Sequence, residues 1–475
     1  MVGASPDLET RPIVAGTAAE VIPAEDPSQT SQPLERQPML SKPTLRRFAV
    51  NVASLFSVQV ANFLLPILTV PYVVRIIGPE RLGLLNFSLA YIAYFTLLIN
   101  YGFEMAAVRA IASNRFDKTV VDKIFSEVIA GKVILWVLSS VIFGFVTYLN
   151  PQFHEHAWLH VCTYITTIAM VLSPFWVYQA MEDLGRVAVF NLVVKVLVTA
   201  SVFLFIREAS DYVYQNLSLS VSQVAINAVA LGIALKRFKI TFAWPSVARL
   251  LNRFREDSTL FFSSVMITIY ASSTVFFLGL LSTSYQVGIF SAGTRLEGIA
   301  RSFVALALNQ AFFPIVANAF GKGRENGLRL VQTAFLPLIG FMVMITIGLW
   351  IIAPYFVNIF YGAAFADAIT VLRIVAFLPI VIGASNLLGM HTMLNLRMDK
   401  AFFGITAVGS VVGLVLNVWL IRGYGYTGAA YAWVLAELYI MLAMFGYLYY
   451  KGVRIVQRET IREAIAFGKA RLGRK

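Results

Sequence analysis

Residues 331–353 read VQTAFLPLIGFMVMITIGLWIIA, 23 positions without one charged side chain. About 20 apolar residues cross the hydrocarbon core of a bilayer as an α-helix. In lipid every backbone N–H and C=O must find a protein partner, which leaves helix or closed barrel, and a run this long and this apolar is helix. Eleven further runs share its character. Together they predict twelve spans at about 48–74, 84–103, 125–149, 159–181, 187–206, 215–235, 258–281, 287–318, 331–353, 369–394, 402–421 and 426–449.

The composition agrees. Of 475 residues, 58% are hydrophobic and 13% charged, with a mean hydropathy of +0.74. A soluble chain carries about 25% charge, so this one cannot build a charged exterior, and lipid must cover it. The net charge of +13 does not indicate nucleic acid, because no Walker-type phosphate loop, RNA-binding signature or zinc-finger spacing accompanies it. The basic residues fall instead between the spans. With a cytoplasmic N-terminus, 29 Lys and Arg lie on the cytoplasmic side and four, Arg75, Arg81, Arg207 and Arg422, on the other. That asymmetry predicts both termini in the cytoplasm. The single cysteine, Cys162, lies in an apolar run and is expected to pack as a small hydrophobe.

The chain divides at changes of composition. Residues 1–43 hold seven of its 17 prolines and are expected to form a disordered cytoplasmic tail. Residues 44–235 form a predicted N-terminal six-helix bundle, 236–257 a basic cytoplasmic linker, 258–450 a C-terminal six-helix bundle and 451–475 a basic cytoplasmic tail. The fold class is thus an all-α polytopic membrane protein. The halves echo each other weakly at an offset of 205, Leu82-Gly83-Leu84-Leu85-Asn86-Phe87-Ser88 against Val287-Gly288-Ile289-Phe290-Ser291-Ala292-Gly293. Both copies put a glycine where an external turn enters a span, the pattern of a parallel-repeat transporter.

Several motifs in order carry a family resemblance. Arg75-Ile76-Ile77-Gly78-Pro79-Glu80-Arg81-Leu82-Gly83 is similar to an R-x-L-G-P-E-x-x-G segment, with Ile77 for the usual Leu. Tyr94-Phe95, Asn100-Tyr101-Gly102-Phe103 and Phe175-Trp176-Val177-Tyr178-Gln179-Ala180-Met181-Glu182 follow, the last with Ala180 in place of Gly. Then come Ala292-Gly293-Thr294-Arg295-Leu296, Gln310, Phe313-Pro314, Tyr361-Gly362 with Phe365, and Gly425-Tyr426-Thr427-Gly428-Ala429. The set, over about residues 45–450, resembles the Wzx-type polysaccharide flippases of the MATE-like exporter superfamily. The resemblance implies two six-helix bundles around a central cavity in the bacterial inner membrane, and no cofactor. It implies transport of a polyprenyl-diphosphate-linked oligosaccharide to the outer leaflet for O-antigen or exopolysaccharide synthesis. Membrane lipid, a polysaccharide polymerase and chain-length machinery would be partners.

Such a cargo requires a cationic path, and charge within a span usually lines a cavity or is paired. Arg295 is the leading candidate. It shares a small-or-polar helical stripe with Gly288, Ser291, Ala292, Gly298, Ser302, Ala305 and Asn309. Arg301 either contacts substrate or neutralises Glu297, four residues earlier. Lys132 and Lys195 either line the path or snorkel to the cytoplasmic face. Arg373 is counted with these cations, although its place near the external end of a span favours snorkelling. Glu437 is the candidate for proton coupling, or else the partner of one of these cations.

Two other functions compete. A multidrug exporter of the same fold would suit a less cationic cavity, yet the five in-span cations outnumber the mid-span acids Glu297 and Glu437. A membrane-embedded polymerase would need a large external loop with catalytic groups. The external loops here are all about fifteen residues or shorter, without G-x-S-x-G, H-E-x-x-H or a carboxylate pair. His154, His156 and His160 are expected in a solvated external loop, not around a metal.

Overall fold

The structure is a computed structural model and describes residues 42–456 apart from 307 and 309–311. Most of the two predicted tails, together with Asn309 and Gln310, lies outside the described residues. A short unit ends at Val50, its described part being helical Lys42–Val50, and a second unit from Asn51 holds everything discussed below.

Among the described residues the chain is built of helices joined by turns. The first half comprises α1 (Lys42–Asn100), α2 (Phe103–Ser113), α3 (Lys118–Leu149), α4 (Pro151–His154), α5 (Ala157–Tyr164), α6 (Thr166–Leu172), α7 (Phe175–Ala180), α8 (Leu184–Phe205) and α9 (Val213–Arg237). The second comprises α10 (Val247–Leu281), α11 (Ser284–Leu306), α12 (Phe313–Gly321), α13 (Arg324–Phe360), α14 (Ala368–Val375), α15 (Leu378–Leu388) and α16 (Asp399–Tyr450), with a π-helical turn at Gly389–Met393. Local chemistry sets several ends. Asp117 caps α3 by accepting from the N–H groups of Thr119 and Val120. Asn150 ends α3 and caps α4, whose first residue is Pro151.

The predicted spans fall on these helices, but 84–103 crosses the turn after Asn100 and 287–318 runs over residues outside those described. The run at 159–181 is broken into α5, α6 and α7, that at 369–394 into α14, α15 and the π-helical turn, and two pairs of spans share one helix. α1 and α16 each bend at a glycine with positive φ, Gly78 (φ 74°) and Gly425 (φ 56°), where the sequence suggested loops. Eight helical stretches among the described residues are long and apolar enough to cross a membrane. α11 is not one of them, because any stretch of it long enough to span contains Arg295, Glu297 and Arg301 together. The apolar exterior is where lipid requires it. α3 exposes Val137, Leu138, Val141 and Phe145, and α13 exposes Met344, Ile347, Trp350 and Ile351.

Most helix contacts stay within a half, as between α8 and α9, α6 and α9, α15 and α16, or α11 and α14. The sequence echo marks a place where the halves meet. A Cβ on Gly83 would lie 1.7 Å from the Ser284 carbonyl oxygen, and one on Gly288 would lie 1.8 Å from that of Pro79. Pro79 and Ser284 stand at the same offset of 205 as the two glycines. The contact is therefore reciprocal, as between elements related by a two-fold axis, and only glycine allows it. Nearby, Gln152 Nε2 donates to the Gly279 carbonyl at 2.7 Å and Arg75 donates to the Ile359 carbonyl.

One expectation is corrected. His160 is not in a solvated loop but in α5, 1% exposed, with Nδ1 3.0 Å from Ser88 Oγ and its ring edge-on to Tyr91 and Phe153. Ser88 donates to Thr163, to which Asn216 also donates, so His160 belongs to a buried polar network of the first half. The apolar run predicted at about 159–181 already held His160, and only its grouping with His154 and His156 suggested a loop. Cys162 is buried as expected.

Candidate functional site

α11 carries most of the site. Its Ser291, Thr294, Arg295, Gly298, Arg301 and Ser302 border a cavity of about 400 Å³, closed on other sides by Asn86 of α1, Val275 of α10 and Trp433 of α16. The predicted small-or-polar stripe therefore splits by role. Gly288 serves the helix crossing, whereas Ser291, Arg295, Gly298 and Ser302 face the cavity.

Two further cavities continue the space into the first half. One of about 310 Å³ shares Asn86, Ser291 and Arg295 with the first and adds Val70, Val74, Gln215 and Tyr361. The other, of about 350 Å³, shares Thr69, Val198 and Leu219 with the second and reaches Lys195, Asn191 and Gln223. A polar-and-apolar path thus leads from Lys195 on α8, past Arg295, to Arg301 on α11. Guanidinium groups at one end can take two oxygens of an anion at once, and the mixed walls suit a ligand with both a polar head and an apolar stem.

The cations fare differently. Arg295 is exposed to the space between the halves and makes no ion pair among the described residues. Arg301 both faces the cavity and donates Nε–H to Glu297 Oε1 at 3.0 Å, its guanidinium 5.3 Å from the Trp433 ring. Cavity-facing and neutralising positions are thus the same position. Lys195 borders its cavity half-buried. Lys132 neither lines these cavities nor snorkels. It is 0% exposed, paired with Glu104 at 2.7 Å and donating to the Met170 carbonyl at 3.1 Å. Arg373 stacks on Trp350 with its guanidinium carbon 4.4 Å from the ring, also away from the three cavities.

Glu437 is 8% exposed on α16 and its charge bears on Glu297, the fully buried acid of α11. Sequence reasoning took Glu297 only as a neighbour of Arg301 and missed Asn86, Tyr361 and Trp433. Trp433 was within reach, since it precedes Glu437 by four residues and so shares its helical face. Asn86 and Tyr361 gave no such signal, because their place depends on how the halves meet. No group of three or more metal-ligating side chains occurs among the described residues.

Residues 48–320, more than half of the chain, match the family described as "Polysaccharide biosynthesis protein". The chain belongs to that family. Among relatives of this polysaccharide biosynthesis protein is the "Putative O-antigen transporter" of Escherichia coli (strain K12), 28% identical over 411 residues, 85% of this chain and 96% of the relative. Among solved structures, its fold is similar to that of "Lipid II flippase MurJ, inward closed conformation", with a TM-score of 0.68, 13% identity, and 83% of this chain and 87% of that one covered. It is also similar to a "multidrug resistance MATE family transporter of the MOP superfamily" in its inward-facing conformation, with a TM-score of 0.62, 15% identity, and 82% and 94% covered. At such identities these structures share the fold, and the family carries the functional argument. The chain is a multi-pass membrane protein of the polysaccharide biosynthesis family.

Proposed function

We propose that this chain flips a polyprenyl-diphosphate-linked oligosaccharide from the cytoplasmic to the outer leaflet of the bacterial inner membrane, and that it catalyses no reaction. The observation that carries the reading is Arg295 and Arg301 together on the wall of one cavity between the halves. A diphosphate is a bidentate partner for a guanidinium. Lys195 extends the positive path, and the apolar wall near Val70 and Val74 suits the lipid stem. A cationic drug would meet these arginines unfavourably, which weighs against a multidrug exporter. The oligosaccharide delivered outside would then be available to a polymerase.

Arg295→Ala should strongly reduce surface polysaccharide while the protein accumulates normally in the membrane, and Arg295→Lys should retain part of the activity. Full export by the Ala variant at normal abundance removes Arg295 from the mechanism. The charge asymmetry supports cytoplasmic termini and a division into residues 44–235 and 258–450 around a cytoplasmic linker. In a Cys162-free background, a cysteine at Ser246 should be shielded from an impermeant thiol reagent in intact cells and one at Thr283 should react. The reverse pattern inverts the orientation.

A further inference from the structure

α11 turns two of its three ionisable side chains toward the cavity and buries the third. Glu297 is 0% exposed; its Oε1 accepts from Arg301 and its Oε2 is buried without a hydrogen-bond partner among the described residues. Burying a carboxylate costs several kcal/mol unless an opposite charge and hydrogen bonds offset it. The charges acting on Glu297 are those of Arg301, on its own helix, and Glu437, which approaches from α16 and repels. Of the other elements packed on α11, α10 carries Arg249, Arg253, Arg255, Glu256 and Asp257 and α13 carries Arg324, Glu325 and Arg329, all near the helix starts and none among the charges that bear on Glu297. α14 brings Arg373, engaged with Trp350, and α15 has no ionisable side chain. Among the described residues one guanidinium, that of Arg301, therefore holds the charge of Glu297, and it also borders the cavity.

We propose that Glu297 is a proton-binding residue whose protonation is linked to the occupancy of Arg301. An anionic group entering the cavity competes with Glu297 for the guanidinium. As Arg301 swings to that group, Glu297 is left beside Glu437 with no counter-charge, and a proton from cavity water adds to its carboxylate. Neutral Glu297 then has an O–H to donate within the buried pair. When the anion leaves, the proton returns to water and the Arg301–Glu297 pair re-forms. Anion and proton thus bind with positive coupling, and by linkage anion affinity rises as the pH falls. This rests on the cargo reading given above, since it needs an anion at Arg301.

The test uses the purified full chain and farnesyl diphosphate as a short prenyl diphosphate probe. Calorimetric titration in two buffers of different ionisation enthalpy reads the protons exchanged per probe bound. The wild type should take up about one proton more than Glu297→Gln. Glu297→Gln should bind the probe at least as tightly as wild type, with an affinity less dependent on pH. Binding by the wild type with the same proton count as Glu297→Gln overturns the proposal. So does an uptake that survives Glu297→Gln and vanishes in Glu437→Gln, which would move the proton to the other acid. Sodium-dependent binding without proton exchange overturns it as well. Absence of binding, or binding indifferent to both Arg295→Ala and Arg301→Ala, instead brings down the cargo reading and this proposal with it. Retained, Arg301-dependent binding separates the two failures.

Discussion

Each half of the molecule holds an ion pair with one partner sealed and the other partly open, and these two pairs are built in opposite senses. In the first half the cation is sealed, Lys132 at 0% exposure, and its partner Glu104 keeps 29%. In the second half the acid is sealed, Glu297 at 0%, and its partner Arg301 keeps 37%. Lys132 has a further acceptor in the Met170 carbonyl and is held between helices of its own half. Arg301 has an aromatic face and an open cavity beside it. A sealed cation cannot meet a ligand, whereas a half-exposed one can leave its partner for a better one. The first arrangement suits packing of the helices, and the second suits the binding role proposed for Arg301.

The largest effect expected from this contrast falls on the first half. Glu104→Ala strands a fully buried ammonium and should destabilise by about 3–5 kcal/mol. Thermal unfolding of the purified protein and its membrane abundance would read this. Adding Lys132→Met should restore most of the loss, because a neutral side chain of similar length needs no partner. If the double variant is no better than the single, the pair is not what holds these helices.

A smaller loss of stability is expected from Arg301→Ala, on the order of 1–2 kcal/mol, because Glu297 can answer by holding a proton. The protonated acid is then the tolerated form. Raising the pH ionises it against its burial, so the variant's unfolding temperature should fall with rising pH more steeply than that of the wild type. Parallel pH profiles would contradict this difference between the pairs. Cargo binding by the same variant should weaken about 10–100-fold, the equivalent of a charge-assisted hydrogen bond of ~1.5–3 kcal/mol.

The smallest effect should come from Trp433→Leu, which removes the ring beside the guanidinium and leaves both charges. A cation–π contact at a partly exposed site contributes about 0.5–1 kcal/mol, so probe affinity should fall only about two- to five-fold while stability hardly moves. A loss as large as that from Arg301→Ala would make Trp433 a contact of the cargo itself.

Much of the fold was legible in the sequence. Hydropathy put its apolar runs on the helices, eight stretches of which are long and apolar enough to cross a membrane among the described residues, and the spacing around Arg295 put a polar stripe on α11. The bends at Gly78 and Gly425 read as loops, because a glycine with polar neighbours looks alike in a turn and in a kinked continuous helix. His160 was misplaced because it was grouped with His154 and His156, although the run predicted at 159–181 already held it; its burial rests on Ser88 and, through Thr163, on Asn216, both distant in the chain. At the site, Arg295, Arg301, Lys195 and Glu437 stood out as charges in apolar runs. The separation of Lys132 and Arg373 from them depended on partners distant in the chain.

The sequence by itself determined that this is a helical membrane protein and which charges lipid could not tolerate, and it echoed itself weakly at one offset. Those follow from one-dimensional quantities: apolar run length, the offset of 205 between Gly83 and Gly288, and the cost of desolvating an ion. Only the tertiary structure decided that the two glycines would meet backbone to backbone. Only there did Arg301 become the shared partner of a buried acid and an open cavity, while Lys132 was sealed against Glu104. Whether an intramembrane charge is spent on packing or kept for a ligand depends on which distant side chain lies within about 3 Å of it, where Coulomb attraction in a medium of low dielectric outweighs desolvation. No local pattern encodes that distance.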